Sequence, residues 1–194
     1  WINRNRILMN GKDNMFTLSL KDASSFKLIN EIEIHQGNEK FIKTIIQAYL
    51  KAPYYNNVFP MIQEILYEAN TIKKISTIAL LSVVKVFEYL GISRIFEVSS
   101  QVYSHTKHLG RAERLMAICK ENGADTYINP YGGQELYSKS EFDEKGIALH
   151  FIKNNLPVYK QFKNDFVPGL SIIDVLMFNS KDEIKEMLND YELI

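Results

Sequence analysis

The order of apolar and polar positions divides the chain into a strand-rich start, a helix-rich middle and a second half in which strands and helices alternate. From Trp1 to Ile7 (WINRNRI) the side chains alternate as in a strand, with Arg4 and Arg6 on one side and Asn3 and Asn5 on the other. Asn10-Gly11 is a hairpin signal and Met15 to Leu20 alternates as the returning strand, so the spacing predicts an N-terminal β-hairpin. Ile29 to His35 reads as a further, weakly alternating strand. From Asn38, which is placed to cap, the period becomes helical: Phe41, Ile45, Ala48 and Tyr49 share one stripe, and Pro53 ends it. A second helix is predicted over 56–69. A third, capped by Asn70 or Thr71, runs to Leu90 and closes on Gly91.

Beyond Gly91 the pattern reads strand, helix, strand. Ile92 to Val98 is the first strand, Leu109 to Asn122 a helix with Leu115, Met116 and Cys119 inward, and Thr126 to Ile128 the second strand. A right-handed crossover makes two such strands parallel, which brings Ser99 and Ser100 to the same sheet edge as the turn from Asn129 to Gly133. Ser140 caps a short helix ended by Gly146, and Ile147 to Ile152 forms another strand. A loop pinned by Tyr159, Phe162 and Phe166 leads to a helix that Ser171 caps and Phe178 ends. A last helix is predicted from Asn179-Ser180 to Tyr191. The expected fold is α/β, a single domain over 1–194: a central, mostly parallel sheet with strands near 94–98, 126–129 and 148–152, flanking helices, the N-terminal hairpin and a helix-rich middle.

Charge and composition narrow the classes of function. Lys plus Arg equals Asp plus Glu at 23 each, and a duplex binder would carry a basic excess, so nucleic acid is not the expected partner. A lone cysteine, Cys119, excludes disulfide frameworks, zinc ribbons and redox pairs, and fits a reducing cytoplasm. The longest apolar run, Ile78 to Val84, is far short of the roughly 20 residues of a membrane span. His105 and His108 have no acidic or cysteine companions at ligand spacing, so no metal is expected. There is no GxSxG, P-loop, GxGxxG or HExxH, so neither a familiar catalytic triad nor a named cofactor is legible.

The densest cluster of special residues runs from Gly123 to Tyr137 (GADTYINPYGGQELY). Gly123 stops a helix, a short strand follows, and Asn129-Pro130 with Gly132-Gly133 forces an abrupt turn at the strand's carboxyl end, where open α/β sheets bind ligands. Two consecutive glycines there predict either a left-handed φ or a backbone approached so closely that a Cβ would clash. Arg4 and Arg6 form a guanidinium clamp suited to carboxylate or phosphate. Arg111 and Arg114, in the first turns of the helix, add positive charge, so the expected substrate is a small anionic or nucleotide-linked molecule. Asp125 and Glu135 are the nearest acids for proton transfer, and Tyr127, Tyr131 and Tyr137 are placed to orient substrate. The plainer alternatives are an ordinary surface turn and a solvated edge strand.

Trp1 to Ile7 and Gly123 to Tyr137 together resemble the WbqC-like family, whose members carry a WxNRNRI segment and a later GADTYxxxxGGxxLY segment. Asp22 to Ser25 (DASS), Gln47 to Tyr54 (QAYLKAPY) and Val167 to Phe178 (VPGLSIIDVLMF) extend the resemblance over essentially the whole chain. Family members begin with a strand and a Gln-Pro turn upstream of NRNR, so a chain opening on Trp1 is expected to be an N-terminally incomplete copy. The resemblance implies a bacterial surface-polysaccharide (O-antigen) context. It also implies transfer of glycine or another acyl or amino-acid unit to a sugar, or, as the alternative, a non-catalytic ligand-binding or scaffold role in such a pathway.

Overall fold

A computed structural model describes residues 2–35, 39–163 and 165–194. Trp1 and the expected cap Asn38 therefore lie outside the described residues. The chain begins with β1 (Arg4–Met9), β2 (Lys12–Thr17), β3 (Leu20–Lys21) and β4 (Glu33–Ile34), then α1 (Glu39–Tyr49), α2 (Tyr55–Thr71) and α3 (Ile75–Leu90). There follow α4 (Ser99–Val102), α5 (Arg111–Glu121), β5 (Thr126–Pro130), α6 (Lys139–Asp143) and β6 (Ala148–Asn154). The last elements are α7 (Ile172–Phe178), α8 (Lys181–Met187) and β7 (Tyr191–Leu193). By contacts the chain forms two compact units, one of Trp1–Arg94 with Leu156–Leu188, the other of Ile95–Asn155 with Asn189–Ile194.

In the first unit β1 and β2 pair antiparallel from Arg4 opposite Thr17 to Met9 opposite Lys12, around a turn in which Asn10 and Gly11 both take left-handed φ (52° and 74°). β1 is polar in its first half and apolar in its second, and that second half sinks: Ile7 and Leu8 are buried against Ile45 and Tyr49 of α1, Val58 and Ile62 of α2, and Leu176 and Met177 of α7. A smaller cluster joins Ile32 and Ile34 to Ala69, Ile75 and Ile78. Gly91 closes α3 with φ 68°, where its N–H bonds the last carbonyls of the helix.

The second unit is built on β5, β6 and β7, in that order. β5 and β6 are parallel, from Thr126 opposite Ala148 to Pro130 opposite Ile152, and α6 lies between them in sequence; β7 pairs antiparallel on the other edge of β6. Met116 and Cys119 of α5, Phe142 of α6, and Ile147, Leu149 and Phe151 form its core.

The α/β class, the hairpin and the parallel pairing therefore stand, in a mixed sheet of three strands. The expected strand at 92–98 does not form. The stretch is without regular structure, Ile95 is 92% exposed, and Glu97 is taken up by the Tyr103 hydroxyl, so the alternation there reports no buried sheet face. The parallel pair is instead formed by the next strand–helix–strand segment. Ile29–Glu31 is a 3-10 turn ahead of the two-residue β4. Thr71 ends α2, and α3 starts after Lys74, so neither Asn70 nor Thr71 caps the third helix. The last helix stops at Met187, and Tyr191 begins a strand. Among the described residues no helix is long and apolar enough to cross a membrane.

Ile45 sits at zero exposure where β1, α1 and α7 meet. Ile45→Ala should lower stability by about 2–5 kcal/mol, read as an earlier midpoint in urea denaturation with an unchanged slope.

Candidate functional site

Helix α7 carries an acid in an apolar run, IIDVLMF, and the fold buries it completely. A buried carboxylate must be met by donors, and Asp174 is met by three. The Tyr49 hydroxyl donates to Oδ1 at 2.8 Å, while the Tyr159 hydroxyl and Gln161 Nε2 each donate to Oδ2 at 2.7 Å. Tyr49 Oη in turn accepts from the Leu8 backbone N–H at 2.9 Å, and Gln161 Oε1 accepts from the Val167 N–H at 2.7 Å. Burial holds the Asp174 carboxyl above the usual carboxylate range, against the pull of its three donors. Burial, followed by the Asp174 charge, pushes the Tyr49 phenol well above its ordinary value, and burial does the same to Tyr159. The cluster is closed on itself, so it acts as a strut that fixes β1 to α7.

That strut holds up one wall of a cavity of about 560 Å³ within the first unit. Phe16 of β2, Ile62 and Leu66 of α2, Val83 and Phe87 of α3 and Ile173 of α7 line it. The polar lining comes from Asn3, Arg4, Asn5, Ser82 and Ser171, and Arg4 is the one charged residue among the described lining. The four residues singled out at the start thus separate by role. Asn3 Nδ2 donates to the Leu18 carbonyl at 2.8 Å and Asn5 Oδ1 accepts from the Arg6 N–H at 2.8 Å. Arg4 is exposed and lines the cavity. Arg6 turns elsewhere: Nη2 donates to the Gly169 carbonyl at 2.9 Å and Nη1 lies 3.4 Å from Asp13. Its own carbonyl accepts from the Ser171 N–H at 2.8 Å.

The remaining candidates belong to the second unit. Arg114 reaches Thr106 Oγ1 at 3.1 Å and the Ser99 carbonyl at 3.4 Å, while Ser100 and Arg111 are exposed. Without a strand at 92–98, no parallel ladder carries Ser99 and Ser100 to the edge beyond Asn129. Asp125 is exposed and accepts from its neighbour Thr126, and Glu135 is exposed on the 3-10 turn Tyr131–Leu136. Tyr127 stacks on Phe142 at 5.7 Å and Tyr137 meets the same ring edge-on at 6.1 Å, so both pack against the core, whereas Tyr131 stays about half exposed. Neither Gly132 nor Gly133 has a left-handed φ. Gly133 is buried, and a Cβ there would come within 2.6 Å of Asn129 Nδ2; Gly132 has open space. The close approach expected of the glycine pair is real at Gly133, and it is made by the chain's own Asn129.

His105 Nε2 lies 2.6 Å from Glu121, an exposed pair, and no cluster of three or more metal-ligating side chains occurs among the described residues. Sequence reasoning missed both the Asp174 cluster and the cavity. Asp174 had a legible signal, an acid amid six apolar residues. Tyr49, Tyr159 and Gln161 had none, since only the tertiary fold brings them to it.

The sequence pattern of the WbqC-like protein family matches residues 1–186. Among curated proteins, the UDP-N-acetylmuramate--L-alanine ligase of Borreliella afzelii (strain PKo) is 26% identical over 183 residues, covering 89% of this chain and 35% of the relative. The chain thus spans about a third of the length of that relative. No solved structure matches it.

Tyr49→Phe strands the Leu8 N–H and one Asp174 oxygen, and should cost about 1–3 kcal/mol in chemical denaturation. Because the folded-state value of Asp174 is raised, its contribution to stability is fully present below the unfolded value, near about 3.9, and is lost as pH rises through the folded value. Denaturation curves taken across that window should therefore show the wild type losing stability relative to Asp174→Asn as pH rises. In the second unit, Gly133→Val should destabilise by about 1–3 kcal/mol through overpacking against Asn129. Adding Asn129→Ala should recover part of it, a coupling of about 0.5 kcal/mol or more in a double-mutant cycle.

Proposed function

The chain belongs to the WbqC-like protein family, and from that premise we propose that it is a transferase moving glycine or another acyl or amino-acid unit onto a sugar in bacterial surface-polysaccharide biosynthesis in the cytoplasm. The observation that carries the reading is that Asn3, Arg4 and Asn5, from the first of the two family segments, border the 560 Å³ cavity of the first unit. Arg4 supplies a fixed cation for the anionic or nucleotide-linked part of a donor, and the flanking amides supply neutral donors and acceptors. The name of the Borreliella relative sets UDP-N-acetylmuramate beside L-alanine. That pairing of a nucleotide sugar with an amino acid is in keeping with this choice of substrates. Within the second unit Asp125 and Glu135 are the proposed proton acceptors, and the turn at Gly132 and Gly133, with Arg111, Arg114, Ser99, Ser100 and the nearby tyrosines, carries that unit's own proposed substrate contacts.

A second reading has its own support. Asp174, the acid with the most strongly built surroundings, has donors on both oxygens and no exposure, while Asp125 and Glu135 are exposed acids without a histidine or lysine hydrogen-bonded to them among the bonds described. A ligand-binding or scaffold protein of the same pathway would need only the cavity and its rim.

Titration calorimetry with nucleotide sugars, acyl-CoA and nucleotides, followed by mass spectrometry of the reaction mixtures, separates the two. The transferase reading expects a sugar product heavier by the transferred unit, with Glu135→Gln or Asp125→Asn lowering kcat about 10²-fold or more. Binding without product under any donor and acceptor pairing favours the second reading.

A further inference from the structure

Helix α3 reads ISTIALLSVVKVFEYL, apolar nearly all round, a composition that calls for burial on every side. Only Ile75, Ile78 and Leu90 are buried. Val83 is 45% exposed, and the other apolar side chains from Leu80 to Phe87 are partly exposed. The open space beside Ala79, Val83, Val86 and Phe87 is the cavity described above, and its volume falls in the range of about 300–1,000 Å³ typical of sites that enclose a small ligand. Twenty of the 25 described lining residues are apolar, no Asp or Glu is among those described, and the one charge among them, Arg4, stands with Asn3 and Asn5 on β1 and the residues just before it. An apolar chamber with one basic, amide-flanked border fits an aliphatic chain ending in an oxyanion. It does not fit a bare sugar, whose hydroxyls would lie unpaired against Ile62, Ile78 and Ile173.

We propose that this cavity binds a long-chain acyl group, with the hydrocarbon lying between α2, α3 and the β1–β2 hairpin and the carboxyl end met by the fork of Arg4. The proposal deepens the transferase reading, on which it rests for its biological setting, by naming the acyl class of the unit or donor. The assignment to a carboxylate follows from the geometry of the planar guanidinium, which pairs bidentately with a planar carboxyl group.

The test is calorimetric titration with dodecanoate, shorter saturated fatty acids, acetate, and dodecyltrimethylammonium, which keeps the chain and reverses the head charge. Affinity should rise about fourfold per added methylene until the cavity is full. Ala79→Phe, which puts a ring into the chamber, should weaken dodecanoate about tenfold or more in a protein whose melting remains cooperative. Should that variant fail to fold, Arg4→Gln at the exposed border serves in its place. It should weaken dodecanoate about tenfold while leaving dodecyltrimethylammonium unchanged or tighter.

Three results would overturn the proposal: no gain with chain length, equal affinity for both head charges in wild type, or concentration-dependent self-association that Val83→Lys abolishes, which would make a second copy the cover of α3. Failure of the two readings is distinguishable. Dodecanoate binding with no transfer product retires the transferase and keeps the acyl site. Glycine transfer without dodecanoate binding retires the acyl site and keeps the transferase.

Discussion

A carboxylate buried without exposure sets the terms for the first unit. The desolvation of Asp174 is offset only if several donors arrive together, and a partly met carboxylate would be worse than an apolar side chain in its place. Its donors come from the end of α1 (Tyr49) and from the irregular stretch before α7 (Tyr159 and Gln161), while Tyr49 passes the constraint on to β1 through the Leu8 N–H. One acid thereby fixes four pieces of chain, distant in sequence, to within the tolerance of a hydrogen bond. The register of β1 matters most of these, since a slip of one residue would turn Ile7 and Leu8 out of the core and redirect Asn3, Arg4 and Asn5.

The cavity is the complement of that rigidity. β1 and α7 are held by polar bonds at one end, and α2 and α3 lean against each other further along, so the apolar side chains between them have walls without filler. The second unit behaves differently. Its core closes on Phe142, around which Tyr127 and Tyr137 are arranged, and the tight spot at Gly133 is taken up by Asn129 from the preceding strand. A glycine that looks reserved for a ligand is, in the first instance, reserved for a neighbouring side chain.

Much of this was legible from local chemistry. Asn10-Gly11 dictated the hairpin, Gly91 and Gly123 marked helix ends that the structure realises with φ of 68° and 64°, and Ser171 caps α7 as its position predicts. The stretch 92–98 misled because alternation records which residues are able to face a core and says nothing of whether a partner strand is present; with Ile95 in solvent, none is. The Asp174 cluster was half legible. The acid stands out in its helix, yet Tyr159 and Gln161 lie in a segment with no period, and Tyr49 looks like one more aromatic on an amphipathic stripe. The cavity was written in α3 all along, as an excess of apolar residues over the faces its neighbours cover, but reading it requires knowing how many faces those are.

The interleaving of the two units has a consequence for how the protein is made. The first unit is completed by 156–188, and the second by the strand Tyr191–Leu193, which pairs with Ile152, Lys153 and Asn154. Residues 1–94 emerge from the ribosome with Leu8 and Tyr49 but without Asp174, Leu176 or Met177, and β6 emerges with one edge unpaired until 191–193 follow. Neither unit has its full core before the segments beyond 155 have followed, so folding one unit after the other in chain order, the usual order for domains laid end to end, is closed to these residues. Until those later segments follow, the apolar α3 and then the bare edge of β6 are surfaces that a chaperone would be drawn to cover.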